Sequence, residues 1–83
     1  MVLATLEGND VILCQITSQA REDGYSVRLE AGDFVSGSLS QSSRIRPNRL
    51  FTADSSIIVY RAGKISSAKL RETRDTLIRI LSD

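Results

Sequence analysis

Eighty-three residues with 41% hydrophobic content support one small domain with a single modest core, because a chain of this size buries only about 60% of its unfolded surface. A net charge of +1 excludes a globally basic nucleic-acid binder, so any grip on a polyanion has to come from a local cluster. The absence of histidine and the presence of one cysteine remove the commonest general acid/base, the commonest metal ligand and any internal disulfide.

In chain order, Val2-Leu3-Ala4-Thr5 reads as a short strand and Glu7-Gly8-Asn9-Asp10 as a tight turn. The run from Val11 to Ser18 is a second strand that completes a hairpin. Its alternation puts Val11, Leu13, Gln15 and Thr17 on one face, and Ile12, Cys14, Ile16 and Ser18 on the other. The first of these faces turns from apolar to polar midway. The hydroxyl pair Thr17-Ser18 therefore stands either at the rim of a pocket or at the start of an ordinary loop. Cys14, within the strand, is expected to be a small buried hydrophobe in a reducing compartment.

Gln19 to Gly24 reads as a polar loop. Tyr25, Val27 and Leu29 then alternate with Ser26, Arg28 and Glu30, as in a half-buried strand. Ala31 to Ser43 is rich in Gly and Ser and reads mostly as loop around an anchoring Phe34. Ser43 to Arg46 is strand-like, and Pro47 is expected to end it. Leu50 to Ala53 leads to Ile57-Ile58-Val59-Tyr60, a run apolar on both faces and so expected to be a central strand. A helix over residues 67–82 is expected from an N-cap at Ser66 or Ser67 and a segment free of Gly and Pro. Leu70, Leu77, Ile78 and Leu81 form its apolar stripe, weakened by Thr73 and Arg74, with Arg71 and Asp75 spaced to pair on the solvent side. Short strands followed by one helix predict a mainly β single domain over 1–83, a small SH3-like barrel or strongly bent antiparallel sheet with a C-terminal α-helix.

Arg44, Arg46 and Arg49 crowd one segment of an otherwise nearly neutral chain. In a regular strand Arg44 and Arg46 share a face, with Ile45 anchoring the other. Paired guanidinium forks suit phosphate oxygens, while the plainer reading is a solvated face paired with Glu30, Asp33 and Asp54. No Cys/His cluster, glycine-rich phosphate loop or nucleophile elbow is present, so neither metal nor cofactor is expected. With no apolar run near the roughly 20 residues of a membrane span and no leader, the chain is read as cytoplasmic, with no membrane partner. Aromatic residues are only Tyr25, Phe34, Phe51 and Tyr60, thin for a proline-rich-peptide groove or a base-stacking platform.

The succession Ile16-Thr17-Ser18, the Gly/Ser-rich loop, Ser43-Arg44-Ile45-Arg46-Pro47-Asn48-Arg49-Leu50, Phe51-Thr52-Ala53-Asp54, Gly63-Lys64-Ile65-Ser66 and a terminal helix resembles the PemK/MazF-like toxins of bacterial type II toxin–antitoxin systems. The resemblance runs from about Val2 to Leu81. It implies an SH3-like barrel with a C-terminal helix, a homodimer, an antitoxin protein as partner, and metal-independent cleavage of single-stranded mRNA. In that chemistry a 2′-hydroxyl attacks its own phosphate to leave a 2′,3′-cyclic phosphate, and arginine and hydroxyl groups stabilise the pentavalent phosphorus. By the same resemblance Thr17 matches the catalytic threonine, Ser18 lies beside it, and Arg46 and Asn48 match positions near the RNA. Arg44 and Arg49 join them as phosphate-binding candidates. Asn48 stands where members are often acidic and is no base.

Family members usually carry another strand and a mobile loop, ending in an Arg-Pro pair, before the strand that Val2-Leu3-Ala4 matches. No residue here is assigned to that principal catalytic arginine, and the domain is expected to be N-terminally shortened relative to the family. A family member that binds antitoxin or RNA without cleaving is therefore the alternative, and an SH3-like protein-interaction module is the second.

Overall fold

The computed structural model describes residues 1–19, 24–39, 41–58 and 62–82. Among them run six strands: β1 (Val2–Thr5), β2 (Asp10–Thr17), β3 (Val27–Leu29), β4 (Phe34–Gly37), β5 (Ser43–Asp54) and β6 (Gly63–Ile65), followed by helix α1 (Ser67–Ser82). The β1–β2 hairpin forms as the sequence predicts. Gly8 takes φ +73° in its turn, and the Leu6 amide donates to the Asp10 carbonyl at 2.8 Å. Hairpin and β5 join β3 in one antiparallel sheet of order β1-β2-β5-β3, while β4 and β6 pair separately.

Pro47 does not end its strand. Cys14 pairs with Leu50 and Gln15 with Arg46, so Pro47, Asn48 and Arg49 bulge out of the ladder between them. A bulge is where a strand tolerates proline, since no ladder bond there needs its missing N–H. The Pro47 ring is fully buried and fills the core instead. Register shifts also interrupt β1–β2 and β4–β6, and such irregularities give a short sheet its curl.

The Gly/Ser-rich stretch holds more structure than expected. Ala31–Asp33 is a single 3-10 turn, and Phe34 packs against the core as an anchor but opens strand β4 instead of lying in a loop. The Glu30 amide donates to Asp33 Oδ2 at 2.8 Å, which closes the turn. Conversely, the expected central strand from Ile57 is absent at its start. Ser55–Ile57 is a 3-10 turn capped by Asp54, whose carboxylate accepts from the Ser56 amide at 2.9 Å and is held below its usual range by that bond. Ile57 and Ile58 are exposed, and Val59 and Tyr60 lie outside the described residues, as does most of the Gln19–Gly24 loop.

Leu3, Cys14, Val27, Leu29 and Ile45 form the core, with Ile12, Ile16, Phe34, Ile65, Leu70 and Leu77 packed around them. Ser66 is the N-cap of α1: its Oγ accepts from the Lys69 amide at 3.2 Å, and its own amide donates to Asp33 at 2.7 Å. The helix thereby hangs from the turn before β4. Its buried stripe is Leu70, Thr73 and Leu77, not Leu70, Leu77, Ile78 and Leu81. Thr73 is 0% exposed because its hydroxyl donates to the Lys69 carbonyl at 2.9 Å, leaving only the methyl to pack. Ile78 lies off that stripe and Leu81 continues it in the last turn of the helix, and both are exposed, 60% and 75%. The ion pair along the helix is Lys69 with Glu72, at 2.8 Å, in place of the expected Arg71 with Asp75.

Gly37 has φ +71°, and a Cβ there would collide with the Ala62 carbonyl oxygen of the neighbouring strand end. Gly37→Ala is expected to destabilise by about 1–3 kcal/mol, read as a lower urea midpoint. Gly8→Ala, with a similar φ but open space around it, is expected to cost less; equal losses would remove the collision as a cause. Burial pushes the Cys14 thiol up from its ordinary range, and its Sγ donates to the Arg46 carbonyl at 2.9 Å. Cys14 should react with a disulfide reagent only once the protein is unfolded; prompt labelling of the native chain would contradict this placement.

Candidate nucleic-acid interface

Cross-strand partners point to the same face of a sheet. Ile16 and Val27 both pair with Ile45, and these side chains turn to the core. Their sequence neighbours must then turn outward. Thr17 pairs with Arg44, and Arg44 pairs on its other side with Arg28, so Thr17, Arg44 and Arg28 form one row across β2, β5 and β3. Gln15 and Arg46 form the next row on the same face.

Short polar contacts hold these side chains. Arg44 Nη1 donates to Ser26 Oγ at 3.2 Å, and Arg46 Nη1 donates to Gln15 Oε1 at 3.4 Å. The Gln19 amide donates to Thr17 Oγ1 at 3.1 Å, which leaves the threonine's own proton to donate outward. Beneath the second row, the Cys14 thiol holds the Arg46 carbonyl and ties the start of the bulge to the core. Arg28 Nε lies 3.7 Å from Glu30 Oε1, while Glu30 Oε2 accepts from Ser42 Oγ at 2.9 Å. The result is a strand face of guanidinium, hydroxyl and amide groups, a chemistry suited to phosphate oxygens.

The predicted site residues separate by distance along the strands. Thr17, Arg44 and Arg46 are brought together by the β2–β5 register. Ser18 is exposed just past the end of β2. Asn48 and Arg49 are exposed on the bulge, beyond Gln15 and away from the Thr17 end. Gln15, Ser26 and Arg28 were not among the candidates drawn from the sequence. For Ser26 and Arg28 the signal was present in the alternation of the strand from Tyr25 to Glu30, and for Gln15 in the polar turn of the Val11–Thr17 face. Only pairing with β5 puts Arg28 beside Arg44 and Gln15 beside Arg46. Among the described residues, no three His, Cys, Asp or Glu side chains converge to hold a metal ion.

A separate groove of about 710 Å³ opens among Met1, Leu13, Phe34, Ile58, Ile65 and Leu70. It is mainly apolar, and none of Thr17, Arg44 and Arg46 lines it. No helix among the described residues is long and apolar enough to cross a membrane.

The fold has a counterpart among solved structures. Mycobacterium tuberculosis toxin MazF-mt6 superposes with a TM-score of 0.74 at 17% sequence identity, over 92% of this chain and 73% of that one. At that identity the likeness establishes the architecture, a curled antiparallel sheet with a C-terminal helix. No curated protein sequence matches the chain. The model of the family described as PemK-like, MazF-like toxins of type II toxin–antitoxin systems matches residues 1–81, nearly the whole chain. The chain belongs to the PemK-like, MazF-like toxin family.

Proposed function

We propose that this chain is a toxin-type endoribonuclease that cleaves single-stranded mRNA without a metal ion and is held in check by a cognate antitoxin protein. The observation that carries this reading is the row in which β2 and β5 pair Thr17 with Arg44 on the face turned away from the core. A phosphate laid on that row receives a hydroxyl donor and a charged fork at once. When the neighbouring 2′-oxygen bonds to phosphorus, negative charge grows on the non-bridging oxygens, where both groups act most strongly. Water takes the 2′-proton as that bond forms, and as the bond to the 5′-oxygen breaks the leaving oxygen takes a proton back from water. The products are a 2′,3′-cyclic phosphate and a 5′-hydroxyl. Arg46 lies one row further along the face, within reach of an adjoining part of the strand.

A second reading, binding of RNA or antitoxin without cleavage, draws support from what the row offers. Thr17, Arg44, Arg46, Gln15 and Ser26 supply donors and charge, but none of these residues is a carboxylate or imidazole able to take the 2′-proton. A homodimer belongs to either reading. The outer edge of β1 has no strand beside it among the described residues, and such an edge invites pairing with another chain.

Incubation with long single-stranded RNA in EDTA separates the two readings. Cleavage leaving 2′,3′-cyclic phosphate ends is expected, falling by about 100-fold or more in Thr17→Ala and in Arg44→Ala. RNA left intact at high protein concentration, yet retained in a binding assay, would establish the non-cleaving reading. Light scattering after size exclusion is expected to give the mass of a dimer, and a monomer at micromolar concentration would refute the pairing.

A further inference from the structure

Among the described residues, Arg28 is the arginine of the Thr17–Arg44 row that the proposed chemistry leaves without a task. It stands in the Thr17–Arg44 row, directly across from Arg44 on the edge strand β3. Its side chain is 68% exposed, and its contact with Glu30 is long, 3.7 Å, between two groups open to solvent. An ion pair of that kind is worth little and yields readily to a stronger anion. Arg28 lies one strand spacing from Arg44 and two from Thr17, so it stands about 7 Å at the backbone from the midpoint of that pair, on the scale of the step between neighbouring phosphates in an extended strand.

We propose that Arg28 holds a second backbone phosphate of single-stranded RNA, the one adjoining the phosphate at Thr17 and Arg44. This rests on the reading of the face as an RNA-binding surface and adds the direction of the strand, which crosses β2, β5 and β3 along the row. Glu30 flanks that path on the side away from Arg46. Its carboxylate is fixed from the other side by Ser42 Oγ at 2.9 Å, and its amide is held by Asp33 at 2.8 Å. A backbone anion straying to that side of Arg28 would meet that fixed negative charge. The arrangement favours a strand that comes to rest with its adjoining phosphate at Arg28, and it makes phosphates on both sides of the cut part of recognition.

The test is the salt dependence of binding, measured by fluorescence anisotropy with a 2′-O-methyl RNA of mixed sequence, which lacks the attacking hydroxyl. Between about 50 and 200 mM salt, each phosphate contact on a single strand contributes about 0.7 to the slope of log affinity against log salt. Arg28→Gln is expected to lower the slope by that amount and to weaken binding severalfold, while Arg28→Lys keeps the slope. Arg71→Gln, on the exposed outer side of α1, removes the same charge and is expected to leave the slope unchanged. Glu30→Gln should tighten binding in the native sequence but not in the Arg28→Gln background. An unchanged slope in Arg28→Gln, or an equal fall in Arg71→Gln, would overturn the role of Arg28 and leave the RNA-binding reading standing. If the native chain shows no salt-dependent binding at all, the RNA-binding reading itself fails, and the Arg28 site fails with it.

Discussion

The pairing of β2 with β5 is the constraint on which the rest depends. β5 is an inner strand of its sheet, hydrogen-bonded to β2 on one side and to β3 on the other. Ile45, completely buried, sits beneath the junction with Ile16 and Val27 as its cross-strand partners. A slip of one residue would turn Ile45 out to water and drive an arginine into the core, which is why register is tightly set wherever one face is buried. The same register makes Thr17 a neighbour of Arg44. The site is thus the solvent-facing consequence of a core contact.

The bulge at Pro47, Asn48 and Arg49 lets one long strand serve two purposes. On the Thr17 side of it, β5 alternates cleanly between core and solvent, with Ile45 in and Arg44 and Arg46 out. On the far side, the strand realigns with β2 through Leu50 and Cys14 and carries the sheet toward the Asp54-capped turn. The Cys14 thiol, satisfied by the Arg46 carbonyl, secures the bulge where the ladder is interrupted. Burial that keeps this thiol protonated also keeps it out of chemistry.

Local chemistry was legible where a residue's role depends on its near neighbours. The β1–β2 hairpin, the face alternation of β2, the Ser66 cap and the full extent of α1 are of that kind. Legibility failed where a distant partner decides. Thr73 looked like a flaw in the helix stripe, yet its hydroxyl is satisfied by the preceding turn, and α1 docks with Thr73 at its centre. Ile57 and Ile58 read as central strand, but Asp54 and Ser56 close a turn there first. Pro47 read as a stop because a bulge in the facing pair leaves no mark in its own segment.

The sequence by itself pointed to the family, the mainly β architecture with its terminal helix, and Thr17, Ser18, Arg44, Arg46, Asn48 and Arg49 as candidate site residues. The architecture follows from periodicity and capping, which are properties of one stretch of chain at a time. The family and the interest of Thr17 came instead from resemblance to known toxins in the order of the motifs. Only the tertiary structure decided that Thr17 faces Arg44, that Arg28 completes their row, and that Asn48 and Arg49 stand apart on a bulge. Such neighbours are set by strand register, and register is fixed by which side chains bury together across the sheet. That is information held jointly by segments far apart in sequence.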